Sequence, residues 1–200
     1  MTLPLFKLTI NPTDDTGVSA IALVDEPAIE ANWMAFKKAL TVKLNIATQA
    51  FKQVGDKQVI RGPVMVPDMQ IYRTTPDGQE FEVMFDKDTI YQMVKKYFKQ
   101  KNTDKVNIMH DPLKVADNVY LIESFIVDSA AGINTPQGFV KQPDGTWFIS
   151  MSVDNAQIWN DFVKTGIFQG FSLEGRFQQT EVKLSILDDK ELLFLSEMLR

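Results

Sequence analysis

The chain has 200 residues, 44% hydrophobic and 24% charged, with a formal net charge of −5. That composition suits one soluble globular domain, or one domain with an arm, and its acidic balance argues against a nucleic-acid surface, which needs clustered Lys and Arg. The absence of cysteine excludes disulfides, thiolate catalysis and Cys-ligated zinc, and a single histidine excludes a His-rich metal site, so no metal or cofactor is expected.

The first stretch, MTLPLFKLTINPTDD, lacks the charged and apolar regions of a signal peptide, and no apolar run reaches the about 20 residues that cross a bilayer. LFKLTI alternates as a strand does, NPTDDTG is turn chemistry, and VSAIALVD reads as a buried strand ended by Asp25-Glu26-Pro27. AIEANWMAFKKAL spaces Ile29, Trp33, Phe36 and Leu40 as an amphipathic helix. TVKLNIATQAFKQVGDKQ is ambiguous, with strand-like alternation at Val42, Leu44 and Ile46.

QVIRGPVMVP predicts a strand with a bulge or edge at Gly62-Pro63, because proline cannot donate to a ladder. QIYRTTPDGQEFEVMFD predicts a hairpin turning at Pro76-Asp77-Gly78, with Phe81, Val83 and Phe85 on one face. In DKDTIYQMVKKYFKQ, Asp86 or Asp88 caps a helix whose core stripe is Ile90, Met93, Val94, Tyr97 and Phe98. The basic cluster KKYFKQK is its wet side. VNIMHDP reads as a short strand ending at His110 and stopped by Asp111-Pro112, and NVYLIESFIVD and GTWFISMSVD as longer strands. NAQIWNDFVKTG predicts a helix capped by Asp154 or Asn155 and ended by Gly166; FQGFSLEGRFQQ predicts one strand, and LSILDDKELLFLSEMLR a final helix. Strands outnumber helices, which gives an α+β domain around a sheet or barrel.

Serine hydrolysis needs a nucleophile, a base in reach, a group that orients the base, and donors for the oxyanion. Ser172 sits in G-F-S-L-E-G, and the only histidine, His110, precedes it. In α/β-hydrolases the histidine follows the serine, and the elbow is G-x-S-x-G, so that class is excluded if His110 is the base. Taken alone, a serine beside glycine in a strand and a histidine beside Asp-Pro are ordinary structural residues.

TGVSAIALVDEPAIEANWMAF resembles the N-terminal signature of the XkdF-like branch of tailed-phage capsid-maturation (prohead) proteases. Three more matches follow in order: IRGPVMVPDMQIYR, then VNIMHDP with VYLIESFIVD, then WFISMSVDNAQIWNDFVKTGIFQGFSLEG. The resemblance implies an assemblin-like, mainly antiparallel β-barrel with packed helices, open to a circular permutation. Residues 1–40 would form an arm contributing to the barrel, and residues 41–200 the protease-like domain. It places the nucleophile at Ser172 and the base at His110.

The larger branch carries its acid in a late strand whose nearest match here is AIALVDEPA, at the N-terminus, where Ala20 takes the acid's place. Glu174 then becomes the favoured third member, since it shares a strand face with Ser172. Glu123, Asp25 or no acid at all remain open, and Arg176 is a candidate oxyanion donor. The implied function is a serine endopeptidase that cleaves scaffold and major capsid protein segments in the prohead interior, within the bacterial host cytoplasm. The alternative is an inactive structural head protein that keeps the fold. A homo-oligomer stays open; nucleic acid and membrane are not expected partners.

Overall fold

The computed structural model describes residues 3–25, 52–53 and 57–182. The helix predicted at 28–40, the ambiguous segment that follows it up to residue 51, and the helix predicted at 184–200 lie outside the described residues.

Alternating apolar and polar positions set some of the strands, and longer apolar runs buried on both faces set others. In chain order these are β1 (Leu5–Thr9), β2 (Gly17–Val24), β3 (Lys52–Gln53), β4 (Val59–Met65), β5 (Ile71–Thr74) and β6 (Glu80–Met84). Helix α1 (Lys87–Lys99) follows, then β7 (Val106–Ile108), β8 (Asp111–Val115), β9 (Val119–Ile126) and β10 (Trp147–Val153). A short helix α2 (Ala156–Ile158) runs into a π-helical turn (Trp159–Val163) before β11 (Gly170–Arg176) and β12 (Gln178–Glu181). Asn155 caps α2, its Oδ1 accepting from the Ile158 N–H at 3.0 Å.

The strands form three four-stranded sheets, ordered β12-β1-β6-β5, β3-β4-β10-β9 and β11-β2-β7-β8. Pairing is mainly antiparallel; β1–β6 and β2–β7 run parallel. The molecule is therefore α+β and mostly β, but the expected closed barrel is not formed among the described residues. The sheets meet through side chains instead. β11 lies against β4 without a ladder. Pro63 of β4 has no N–H to offer, and the register against β10 shifts beside it, so that Trp147 pairs with Met65 and Phe148 with Pro63. A missing donor and a bulge both work against extending a sheet across that seam.

The core fills the space between the sheets. Trp147, Ile149, Met151 and Val153 of β10 meet Ile21 and Leu23 of β2, and Ile90, Met93 and Tyr97 of α1. Each such side chain contributes about 1.5–3 kcal/mol on burial. The Tyr97 ring meets Trp147 edge-on, with centroids 5.6 Å apart, and burial pushes its phenol pKa far up. Phe98, expected in the core stripe, is exposed, because the buried face of α1 turns on Ile90, Met93 and Tyr97. Two further expectations change. Pro112 does not stop the chain but lies in β8, an edge strand where a missing donor costs no pairing. The single strand expected at 168–179 breaks at Phe177 into β11 and β12, which join different sheets. No helix among the described residues is long and apolar enough to cross a membrane.

Helix α1 braces the N-terminal strands. The buried Lys96 ammonium donates to the carbonyl oxygens of Asn11, at 2.6 Å, and Asp14, at 2.8 Å, which ties the β1–β2 turn to the helix. At the other end Asp86 caps α1, accepting from the Thr89 N–H at 2.8 Å, and pairs with Lys7 of β1. Burial pulls the Asp86 carboxyl upward, but the Lys7 ammonium and the Thr89 donors outweigh it and hold it below its ordinary value. A depressed carboxylate pKa stabilises the fold above its unfolded value, and the contribution fades as pH falls through the lower folded value. Asp86→Ala is expected to cost about 1 kcal/mol at neutral pH. Its thermal midpoint should approach the parent's as the pH falls below about 4, near the unfolded carboxyl value; a constant difference down to pH 2 would contradict this.

Candidate active site

Strand β11 reads GFSLEGR. Phe171 and Leu173 face the core, so Ser172 and Glu174 project from the opposite face. The antiparallel register sets Ser172 opposite Ala22 and Glu174 opposite Ala20 of β2. On the far side of β2, Ala22 pairs in parallel register with Asn107 of β7. Ser172, Ala22 and Asn107 thus form one row across three strands. The alanines leave the middle of that face low, and longer side chains reach across it. Asn107 Nδ2 donates to Glu174 Oε1 at 2.6 Å.

His110 arrives from the same side. The β7–β8 hairpin turns in two residues, Met109 and His110, with φ of 55° and 58°. Two positive φ values are what a tight hairpin of this twist requires. Each costs about 1–2 kcal/mol in a residue other than glycine. His110, expected at a strand end, is therefore a turn residue, and the turn brings it onto the face of β11. Its Nδ1 lies 3.0 Å from Glu174 Oε1. With the proton on Nδ1 donated to the carboxylate, Nε2 keeps a lone pair and can accept another proton. The His110 side chain is 43% exposed and that of Glu174 26%. Ser172 is buried at 5% and is not hydrogen-bonded to His110.

The other carboxylates considered stand elsewhere. Glu123 of β9 accepts from Ser150 Oγ at 2.6 Å and from Arg61 Nη2 at 2.5 Å, which hold its carboxyl below the ordinary value. It belongs to a different sheet from His110. Asp25 is exposed just past β2. Arg176 pairs with Asp15 and is 79% exposed. Among the described residues no group of three or more His, Asp or Glu gathers as metal ligands. Asn107 was missed by the sequence reading. Nothing in VNIMHDP marks it, because its contact exists only in the β7–β2–β11 register.

The glycine that closes G-F-S-L-E-G has a packing cause. A Cβ on Gly175 would lie 2.2 Å from the Gly17 carbonyl oxygen. Here the ladder shifts, Glu174 pairing with Ala20 and Gly175 with Val18, which leaves Ser19 as the extra residue. Ser19 Oγ donates to the Glu174 carbonyl oxygen at 3.3 Å. The bulge therefore anchors the backbone of Glu174 itself.

A cleft of about 580 Å³ runs beside β11. All seven residues from Phe171 to Phe177 line it, from both faces of the strand, so it follows the length of β11. Val64, Met65, Ile71 and Phe85 make its apolar walls, with the Arg73 side chain among them. Gly175→Ala is expected to destabilise the fold by about 1–3 kcal/mol, as overpacking does. It should also loosen the Glu174 to His110 contact, seen as a changed His110 ring resonance. An unchanged unfolding midpoint would rule out the close approach to Gly17.

Residues 47–181 match the family model described as "Putative phage serine protease XkdF". No match was found among curated proteins or among solved structures. The matched span contains Asn107, His110, Ser172 and Glu174. It covers well over half of the chain, and the protein belongs to this phage serine protease family.

Proposed function

We propose that the protein is a serine endopeptidase of tailed-phage head maturation, with Ser172 as nucleophile, His110 as base and Glu174 as the group that orients the base. The observation that carries this reading is the His110 Nδ1 to Glu174 Oε1 contact at 3.0 Å, on the strand face that also presents Ser172. The pairing commits the Nδ1 proton and leaves Nε2 as the acceptor, which is the state a general base needs. Nε2 takes the Ser172 hydroxyl proton as Oγ attacks the peptide carbonyl carbon. The imidazolium then passes that proton to the departing amine, and an ester to Ser172 remains. Water, deprotonated by the same nitrogen, splits the ester and releases a carboxylic acid. The Ser172–His110 hydrogen bond forms when substrate is bound, since catalytic contacts tighten in the complex.

The cleft supports a peptide substrate. β11 is an edge strand of its sheet among the described residues, and an extended segment can lie along the groove beside it. Scaffold and major capsid protein segments in the prohead interior are the substrates this family setting favours. An assemblin-like ancestry with a circular permutation fits the position of β2, which comes from the N-terminal end yet lies between β11 and β7. Ala20 stands where the larger branch has its acid, and Glu174 is its neighbour in register. On this reading the carboxylate has moved one strand across while still facing the histidine.

A second reading, an inactive head component with the same fold, is favoured by the burial of Ser172 and the absence of a hydrogen bond between it and His110. Co-expression with scaffold and capsid protein separates the two. Ser172→Ala and His110→Ala are expected to abolish cleavage with the fold intact, and Glu174→Gln to lower it about 10²–10⁴-fold, as loss of a base-orienting carboxylate does. Glu123→Gln should leave the cleavage rate unchanged. Cleavage by Ser172→Ala at the parent rate would overturn the assignment, and no cleavage by the parent would favour the inactive component.

A further inference from the structure

We propose that Asn107 is a positioning residue that holds Glu174 in the orientation needed to fix the His110 tautomer. This rests on the proposed roles of His110 and Glu174. Asn107 is buried, and its Nδ2 donates to the same carboxylate oxygen, Glu174 Oε1, that meets His110 Nδ1. Two donors on one oxygen fix the direction of the carboxylate, whereas the histidine alone leaves it free to swing about its bonds. The other half of the amide makes the case sharper. Asn107 Oδ1 is buried with no hydrogen-bond partner among the described residues. Buried polar atoms are almost always paired, and an unpaired one is destabilising. Turning the amide over would not help, because it would set Oδ1 against Glu174 Oε1, two acceptors at a distance only a hydrogen bond permits. The side chain thus keeps a destabilising oxygen in order to keep one donor on Glu174. A residue selected for packing alone would be apolar here, as Ile21 and Leu23 are on the core face of the neighbouring strand.

The chain's lone histidine makes the test direct, since its ring resonances have no competitors. In the parent and in Ser172→Ala, the His110 Nδ1 proton is expected as a slowly exchanging downfield resonance. Asn107→Leu, of similar size and without a donor, should lose that resonance, as Glu174→Gln should, while its unfolding midpoint stays level or rises. In cleavage assays Asn107→Leu should lower kcat about 10- to 100-fold with KM unchanged, the range seen when an orienting partner of a functional side chain is removed. The double variant with Glu174→Gln should be no slower than Glu174→Gln alone, because the two side chains act as one unit. Asn107→Val, smaller and also without a donor, should reproduce the loss if the leucine variant does not fold. A resonance that persists in the folded variant overturns the proposal whether or not the protein cleaves peptides. So does an additive double variant, or a lowered midpoint in both Asn107 variants. Cleavage by Ser172→Ala would instead count against the nucleophile and leave the resonance test standing.

Discussion

The structure depends on a single register, in which β11, β2 and β7 align so that Ser172, Ala22 and Asn107 share a row. Side-chain parity in a strand has a period of two, and a slip of one residue would send Ser172 and Glu174 into the core and bring Phe171 and Leu173 out. The apolar side of β11 therefore protects the polar side. Ile21, Leu23 and Phe171 are almost fully buried, and that burial is what fixes which way the serine points. The bulge at Ser19 and the Gly17–Gly175 approach then set where the ordered row ends.

Across this face the smallest residues matter as much as the polar ones. Ala20 and Ala22 lie between the strand of the serine and the strand leading to the histidine, and the 2.6 Å contact from Asn107 to Glu174 crosses above them. A larger side chain on that face of β2 would block the crossing. The same positions read from the sequence as a loss, an alanine where an acid was expected. In the folded protein they form the gap through which a carboxylate from the next strand reaches the histidine.

Local pattern made much of the fold legible. Alternation located β1 and β6, the Pro76-Asp77-Gly78 turn lies between β5 and β6, and the cap at Asp86 starts α1. The irregularity expected at Gly62-Pro63 is present as a register shift. What stayed hidden was decided by partners far along the chain. Closure of a barrel is a property of edges meeting, and nothing in VIRGPVM says which strand will lie beside it. The break at Phe177 arises because β11 and β12 belong to different sheets. His110 looked like the end of a strand because its left-handed turn contains neither glycine nor asparagine, the residues that usually mark one. Asn107 was invisible for the same reason as closure, since its contact exists only once β2 lies between β7 and β11.

That middle strand has a consequence for timing. β2 spans Gly17–Val24 and its partner β11 spans Gly170–Arg176, so the face that carries Ser172 is closed by two segments far apart in sequence. Such pairing waits on loop closure and is slow relative to local structure. During synthesis β2 leaves the ribosome well before β11 and lacks that neighbour until β11 has followed. The constellation of Ser172, His110 and Glu174 cannot exist on a nascent chain that has not yet reached β11. Whatever reactivity it has is withheld until both strands have been made and have paired, a delay written into strand order.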